Sequence, residues 1–285
     1  MSLNPFVLVA PGATRGLGVA LTRQFLRTTN LPVYASHRAA TSDDSIKKMI
    51  LEPLGREIDP ARLTLLKLDL TSEGSITSAA QSLSESLEQK NLSNAFIHTA
   101  FITGGMLVPE KKPADLDWDA LKETFQINVI SHLLIIKHFS RFLPPKGMHA
   151  QRQRPDTAQS EDILNDDDSL LPYVAKWAHI SARLGSIQDN ERGGWYSYRS
   201  SKAALNQVIK TFDLHLQQHH TQAMCIGVHP GTVKTDLSRG FWASTRRQEL
   251  FEPMDAAANL IDVVENLNTH QRGKVWDWSG KEVPW

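Results

Sequence analysis

An open α/β sheet, doubly wound with about seven parallel strands and helices on both faces, is the fold this chain predicts. Three observations predict it. Short apolar runs alternate with longer amphipathic stretches from end to end. The apolar runs lack strict in–out alternation, as suits strands buried on both faces. A glycine-spaced turn, Gly12, Gly16 and Gly18, joins the first run to the first amphipathic stretch.

The elements follow in order. Phe6–Ala10 reads as a strand and Gly16–Thr29 as a helix. Pro32–Ala35 is a second strand and Leu63–Leu68 a third, followed by a polar helix, Ser72–Glu88. Ala95–Thr99 is a fourth strand. Asp117–Leu143 is a long helix, with Leu121, Phe125, Val129, His132, Leu133 and Ile136 spaced for one face. Trp177–Ile180 is a fifth strand, Tyr196–His219 a second long helix, and Ala223–Val228 a sixth strand. Ala256–Leu267 is a helix and Lys274–Trp276 a seventh strand. Strands alternating with helices pair in parallel through right-handed crossovers. Such a sheet takes ligands beyond the carboxyl ends of its strands.

At 285 residues, the chain is read as one domain, 1–285. A polar stretch at 146–172, with Pro144-Pro145 before it and Asp166-Asp167-Asp168 near its end, reads as a surface insertion. Hydrophobic residues are 41% and charged residues 22%, enough for a large core and against wholesale disorder. Lysine plus arginine, 31, equals aspartate plus glutamate, 31, so composition gives nucleic acid no support as the main partner. The one cysteine, Cys225, cannot pair within the chain or build a cysteine-rich metal site, and no metal is expected. No window holds the ~18 apolar residues of a membrane helix. The start lacks a secretory signal, and Val283-Pro284-Trp285 is not a peroxisomal address. A cytoplasmic protein is the expectation.

Glycines at the first turn permit close approach of backbone to a ligand, and the helix that follows offers unpaired N–H groups and a positive dipole end. Gly12-Ala13-Thr14-Arg15-Gly16-Leu17-Gly18 is therefore a candidate pyrophosphate cradle. The second motif is Tyr198-x-x-x-Lys202 at the start of a long helix, where four-residue spacing puts both side chains on one face. An ammonium beside a phenol favours the phenolate, and a tyrosine so tuned can exchange a proton with a carbinol oxygen. Tyr196 is a decoy, since its i+4 partner is Ser200.

These motifs resemble the short-chain dehydrogenase/reductase family, whose single-domain members carry T-G-x-x-x-G-x-G on a Rossmann-type fold. Pro11 stands where the family has threonine. The resemblance implies an enzyme reducing a small carbonyl substrate to an alcohol, with Tyr198 as proton donor, Lys202 beside it and Asn128 holding a water that links the lysine to solvent. The second strand ends in His37-Arg38, without the acid that NAD-preferring relatives carry. Arg15 and Arg38 are positioned to grip a 2′-phosphate, so NADP(H) is expected over NAD(H); a merely solvated Arg38 is the alternative. Asp69 and Leu70 match the family's adenine-contacting pair. His98-Thr99-Ala100-Phe101 takes the place of Asn-Asn-Ala-Gly, so Thr99 and Ala100 are expected to line the cofactor, and the bonding between the first and fourth strand ends must be rebuilt. Pro230, Gly231, Val233 and Thr235 match the turn that holds the nicotinamide carboxamide.

The family's Ser-Ser-x-x-Gly appears as Ser181-Ala182-Arg183-Leu184-Gly185. The oxygen-orienting place is Ala182. Ser181 does the work after a small shift, or Ser186 does, or Tyr198 works with a weaker clamp; Ser181 is the preferred candidate. Residues 238–253, rich in aromatics, are expected to form a substrate lid. Gly185–Asn190, Gly193–Arg199 and Asp277–Trp285 look like the subgroup of C-factor and sniffer-type carbonyl reductases. Relatives often pair through the two long helices, which implies a homodimer or homotetramer, though some are monomers. The second reading is a cofactor-binding sensor or signalling protein with little turnover.

Overall fold

The computed structural model describes residues 3–38, 42–55, 57–92, 94–146 and 174–285. All but the first residue of the 146–172 stretch therefore lies outside the described residues. The chain runs β1 (Asn4–Ala10), α1 (Gly16–Thr28), β2 (Val33–His37), α2 (Asp43–Leu51), β3 (Leu63–Lys67), α3 (Glu73–Gln89) and β4 (Ala95–Ile102). It continues through α4 (Trp118–Phe125), a π-helical turn (Gln126–Ile130), α5 (Ser131–Phe139), β5 (Ala175–Ile180), α6 (Tyr196–Gln218) and β6 (Ala223–His229). Then come β7 (Thr232–Val233), a 3₁₀ segment (Arg239–Ser244), β8 (Leu250–Phe251), α7 (Pro253–Asn266), β9 (Val275–Asp277) and β10 (Glu282–Val283).

The main sheet is ordered β10-β9-β6-β5-β4-β1-β2-β3, all parallel except the β9–β10 pair. Strand order reverses between β1 and β4, which puts the ligand crevice beyond their carboxyl ends. Period-two alternation splits β1 between two cores. Phe6, Leu8 and Ala10 join α3, α5 and α6 through residues such as Leu83, Phe139, Leu205 and Ile209. Val7 and Val9 join α1, α2 and α7 through Leu21, Phe25, Ile46 and Leu260. Each fully buried leucine, isoleucine or phenylalanine contributes about 1.5–3 kcal/mol, so the sheet's edge is a stiff platform for the site.

The main sheet has eight strands, its eighth the unexpected antiparallel β10, and β7 and β8 form a second, two-stranded sheet; three further departures each have a local reason. The α2 helix was not anticipated; Ser42 caps it, accepting from Ser45 N, and Asp43 and Asp44 sit in its first turn. The 117–143 stretch is helical but interrupted by the π turn at Gln126–Ile130, centred on Asn128. The β4 strand runs three residues past Thr99, because Phe101 and Ile102 are fully buried opposite Val9 and Ala10.

Candidate active site

The glycine turn is built by close approach. Gly12 N and Ala13 N both donate to Ser36 O at the end of β2, at 2.9 and 3.0 Å. A Cβ on Gly12 would lie 2.5 Å from Val9 Cγ1, and one on Gly18 2.7 Å from Pro11 O. Gly16 has φ +57°, and its Cβ would meet Thr235 Cγ2 at 3.2 Å. The structure thus brings Thr235, from the segment after β7, over the loop after β1. Thr14 and Arg15 are exposed, Leu17 is half-buried, and no side chain caps the α1 N-terminus. Free N–H donors at a dipole's positive end, in a cradle with no room for side chains, fit the pyrophosphate of a dinucleotide.

Arg38 is exposed just past β2. It is close enough to Asp69 to help hold that carboxyl below its usual value, although the larger cause is hydrogen bonding from Thr71. Leu70 is half-buried, and its carbonyl accepts from Gln126 Nε2 at 3.1 Å. Pro230 and Gly231 follow β6, with Gly231 at φ +71° against Phe251 and Trp278. Val233 is buried, and its carbonyl accepts from Thr235 N and Ser238 Oγ.

Thr99 and Ala100 lie inside β4 rather than at its end. Both are fully buried, two or more residues short of the end of β4. Thr99 Oγ1 donates to Glu265 Oε1 on α7 at 2.8 Å, and Ala100 packs in the core with Leu8. The strand's edge is instead Thr103, Gly104 and Gly105. Thr103 N donates to Ala10 O at 2.9 Å and Thr103 Oγ1 to Pro11 O. This is the rebuilt bond between the two strand ends, with the hydroxyl moved from position 11 to position 103. The Thr-Gly-Gly triplet directly after an apolar run was the available signal.

Tyr198 and Lys202 project together from the first turns of α6. Lys202 Nζ lies 5.8 Å from the centre of the Tyr198 ring and donates to Ile180 O at 2.8 Å. Tyr198 keeps 7% exposure and Lys202 2%. Gly185 lets α6 come this close: a Cβ there would lie 2.8 Å from Lys202 C. Burial, rather than the ammonium, dominates both groups. It lowers Lys202 to about 7 and raises the Tyr198 phenol well above its usual value. Burial and the neighbouring ammonium therefore pull the Tyr198 phenol in opposite directions, with burial the larger.

Asn128 clamps the crossing loop from the π turn. Its Oδ1 accepts from Met106 N at 2.8 Å, and its Nδ2 donates to Met106 O at 3.0 Å and to Ser201 Oγ at 2.9 Å. Gly105 lies between Asn128 and Lys202: its Cβ would be 3.9 Å from Asn128 Oδ1 and 3.7 Å from Lys202 Nζ.

Ser181 lies at the end of β5. It is buried, and its only proton goes to Asn206 Oδ1 on α6 at 2.6 Å. Ser186 Oγ donates to Trp285 O at 3.2 Å and accepts from Asp189 N at 3.0 Å. Both hydroxyls are engaged in structure. Trp195, at φ +51°, donates its N–H to Glu110 O at 2.6 Å. Its ring lies 6.2 Å from Tyr198 and 4.5 Å from Phe241 of the 3₁₀ segment. Thr103, Gly104 and Gly105 were not singled out from sequence, and Trp195 was read only as part of the Gly193–Arg199 motif. No cluster of three metal-ligating side chains occurs among the described residues, and no helix among them is long and apolar enough to cross a membrane.

A scan against protein-family models returns no match. The chain is 30% identical over 218 residues to the 1-hydroxy-2-glutathionyl-2-methyl-3-butene dehydrogenase of Rhodococcus sp. (strain AD45), covering 76% of this chain and 78% of that protein. It is 32% identical over 142 residues to the C-signal of Myxococcus xanthus, 48% of this chain and 80% of that protein. Among solved structures, the NADPH-bound carbonyl reductase from chicken fatty liver superposes with a TM-score of 0.74 at 24% identity, over 100% of both chains. The carbonyl reductase Sniffer of D. melanogaster gives 0.73 at 21%, also over 100% of both. The fold and these relatives define a class: the chain belongs to the short-chain dehydrogenase/reductase family. It is an oxidoreductase of that family, built around a nicotinamide dinucleotide fold.

Proposed function

We propose that this protein is an NADPH-dependent carbonyl reductase in which Tyr198 gives the proton that completes alcohol formation. The single observation that carries the reading is the pairing of a buried Tyr198 with Lys202 on the sheet edge that also holds the glycine turn. When bound, the nicotinamide supplies a hydride to the carbonyl carbon. The chain's own residues do the rest. Gly12, Gly16, Leu17 and Gly18 receive the pyrophosphate, and Arg15 and Arg38 the 2′-phosphate. Asp69 and Leu70 border the adenine, and Pro230, Gly231, Val233 and Thr235 border the carboxamide. Tyr198 donates its hydroxyl proton to the carbonyl oxygen as charge develops there, and Lys202, held by Ile180 O and packed beside Gly105 and Asn128, favours the transient phenolate. Residues 238–253, joined to the Tyr198 neighbourhood by Phe241 on Trp195, cover the substrate. Relatives named as carbonyl reductases support this direction.

The test is NADPH consumption with aldehydes, quinones and α-dicarbonyls. Turnover lost in Tyr198→Phe supports the reading; tight NADPH binding with no turnover of any carbonyl supports the second reading, a sensor. One observation favours that second reading: Ala182 fills the oxygen-clamp place while Ser181 is bound to Asn206.

A further inference from the structure

Residues 103–112 cross the strand edge beside Lys202 without regular secondary structure, so side chains set their course. Thr103 is tied to β1, Met106 to Asn128 and Glu110 to Trp195. Gly104 is held differently. Its carbonyl lies 3.0 Å from His132 Nε2, His132 Nδ1 lies 2.7 Å from His179 Nδ1, and Trp177 Nε1 donates to His179 Nε2 at 3.0 Å. Trp177, His179 and His132 are all fully buried.

The direction of every bond in this chain is forced. An indole N–H only donates and a carbonyl only accepts. His179 Nε2 is therefore an acceptor, and its ring proton sits on Nδ1. That N–H meets His132 Nδ1, which accepts, so His132 carries its proton on Nε2 and gives it to Gly104 O. Both rings are satisfied at both nitrogens and carry no charge. Burial keeps them neutral, and the nearby Lys202 adds to it: His132 is pushed down to about 3 and His179 well below its usual value. The chain ends one residue from the lysine. A Cβ on Gly104 would be 3.4 Å from His132 Nε2, and one on Gly105 3.7 Å from Lys202 Nζ.

We propose that His132 and His179 are positioning residues: a neutral two-imidazole strut, anchored on Trp177 of β5, that holds Gly104–Met106 where the segment packs against Lys202. A satisfied polar chain fixes one geometry more sharply than apolar packing does, and a neutral one sets no second cation beside the ammonium. The inference rests on the proposed function only for its turnover readout.

Two measurements test it. In ¹⁵N-labelled protein, His179 is expected as the Nδ1–H tautomer and His132 as Nε2–H, both unchanged between about pH 5 and 8. An Nε2–H His179, or titration of either ring in that window, overturns the strut whether or not the protein turns over. Second, His132→Leu removes both bonds, while His132→Gln keeps an N–H near the Nε2 position. A Lys202 ammonium lowered to about 7 is expected to give kcat/KM a limb that falls as pH rises through that value; His132→Leu is expected to lower kcat about ten- to a hundredfold and to move that limb, with His132→Gln recovering most of both. A folded His132→Leu with unchanged kcat and pH profile overturns the proposal. Should the leucine variant not fold, a glutamine variant that folds but recovers neither kcat nor the limb overturns it equally. If the parent protein reduces no carbonyl, the proposed function fails, and the strut is judged by the tautomers alone.

Discussion

Ser181 donates its hydroxyl to Asn206 Oδ1 across 2.6 Å, tying the end of β5 to the middle of α6. The bond spends the only proton Ser181 has. Ser181→Ala is expected to leave kcat within about threefold, while unfolding shows a loss of about 1–3 kcal/mol from the unpaired Asn206 carbonyl. A drop in kcat of ~10² or more with unchanged stability would put Ser181 on the substrate oxygen instead.

Adding the missing donor is the complementary change. Ala182 is buried at the position that the resemblance to the family gives to the oxygen clamp. Ala182→Ser is expected to raise kcat, by up to ~10², if its hydroxyl reaches the carbonyl oxygen. Steady-state rates on one aldehyde and one ketone read the effect, and a fall on both rejects it.

The proposed preference for NADPH rests on Arg15 and Arg38, exposed beyond β1 and β2. A hydrogen bond to a charged group is worth about 1.5–3 kcal/mol. Arg38→Ala is therefore expected to lower kcat/KM for NADPH about ten- to a hundredfold and to leave NADH nearly unchanged. Equal losses with both cofactors reject a 2′-phosphate contact.

Lys202 gives the pH dependence. Its ordinary value is 10.5, and burial lowers it to about 7. Between those values the unfolded chain holds one proton more than the fold, so this group makes stability rise with pH from about 7 upward. Below about 7 both states carry the proton, and the full cost of burying the ammonium is present. Urea unfolding without added cofactor is expected to show the parent gaining stability from pH 7 to 9. Lys202→Met loses that gain and is the more stable protein at pH 6, yet inactive. In the parent, kcat/KM falls as pH rises through about 7, because the ammonium is the working form. A flat stability profile in the parent contradicts the burial account.

The sheet was legible because parallel strands buried on both faces write themselves as apolar runs, and Phe6–Ala10 and Ala223–Val228 are such runs. The end of β4 was not. Matching His98–Phe101 to the family's tetrapeptide placed Thr99 and Ala100 at the edge, whereas burial of Phe101 and Ile102 carries the strand onward. The loss of threonine at Pro11 was visible in sequence; its replacement by Thr103, 92 residues away, was not, since only the fold brings them together. Spacing paired Tyr198 with Lys202 correctly in space but could not weigh burial against charge. The His132–His179 contact joins a helix and a strand 47 residues apart and leaves no local pattern.

Replacing Tyr198 by phenylalanine is the most direct measurement, since the variant keeps the ring's packing on Trp195 and removes one oxygen. NADPH affinity is expected to stay within about threefold while reduction of every carbonyl falls by ~10³ or more. Carbonyl reduction that persists at the parental rate in Tyr198→Phe contradicts the account.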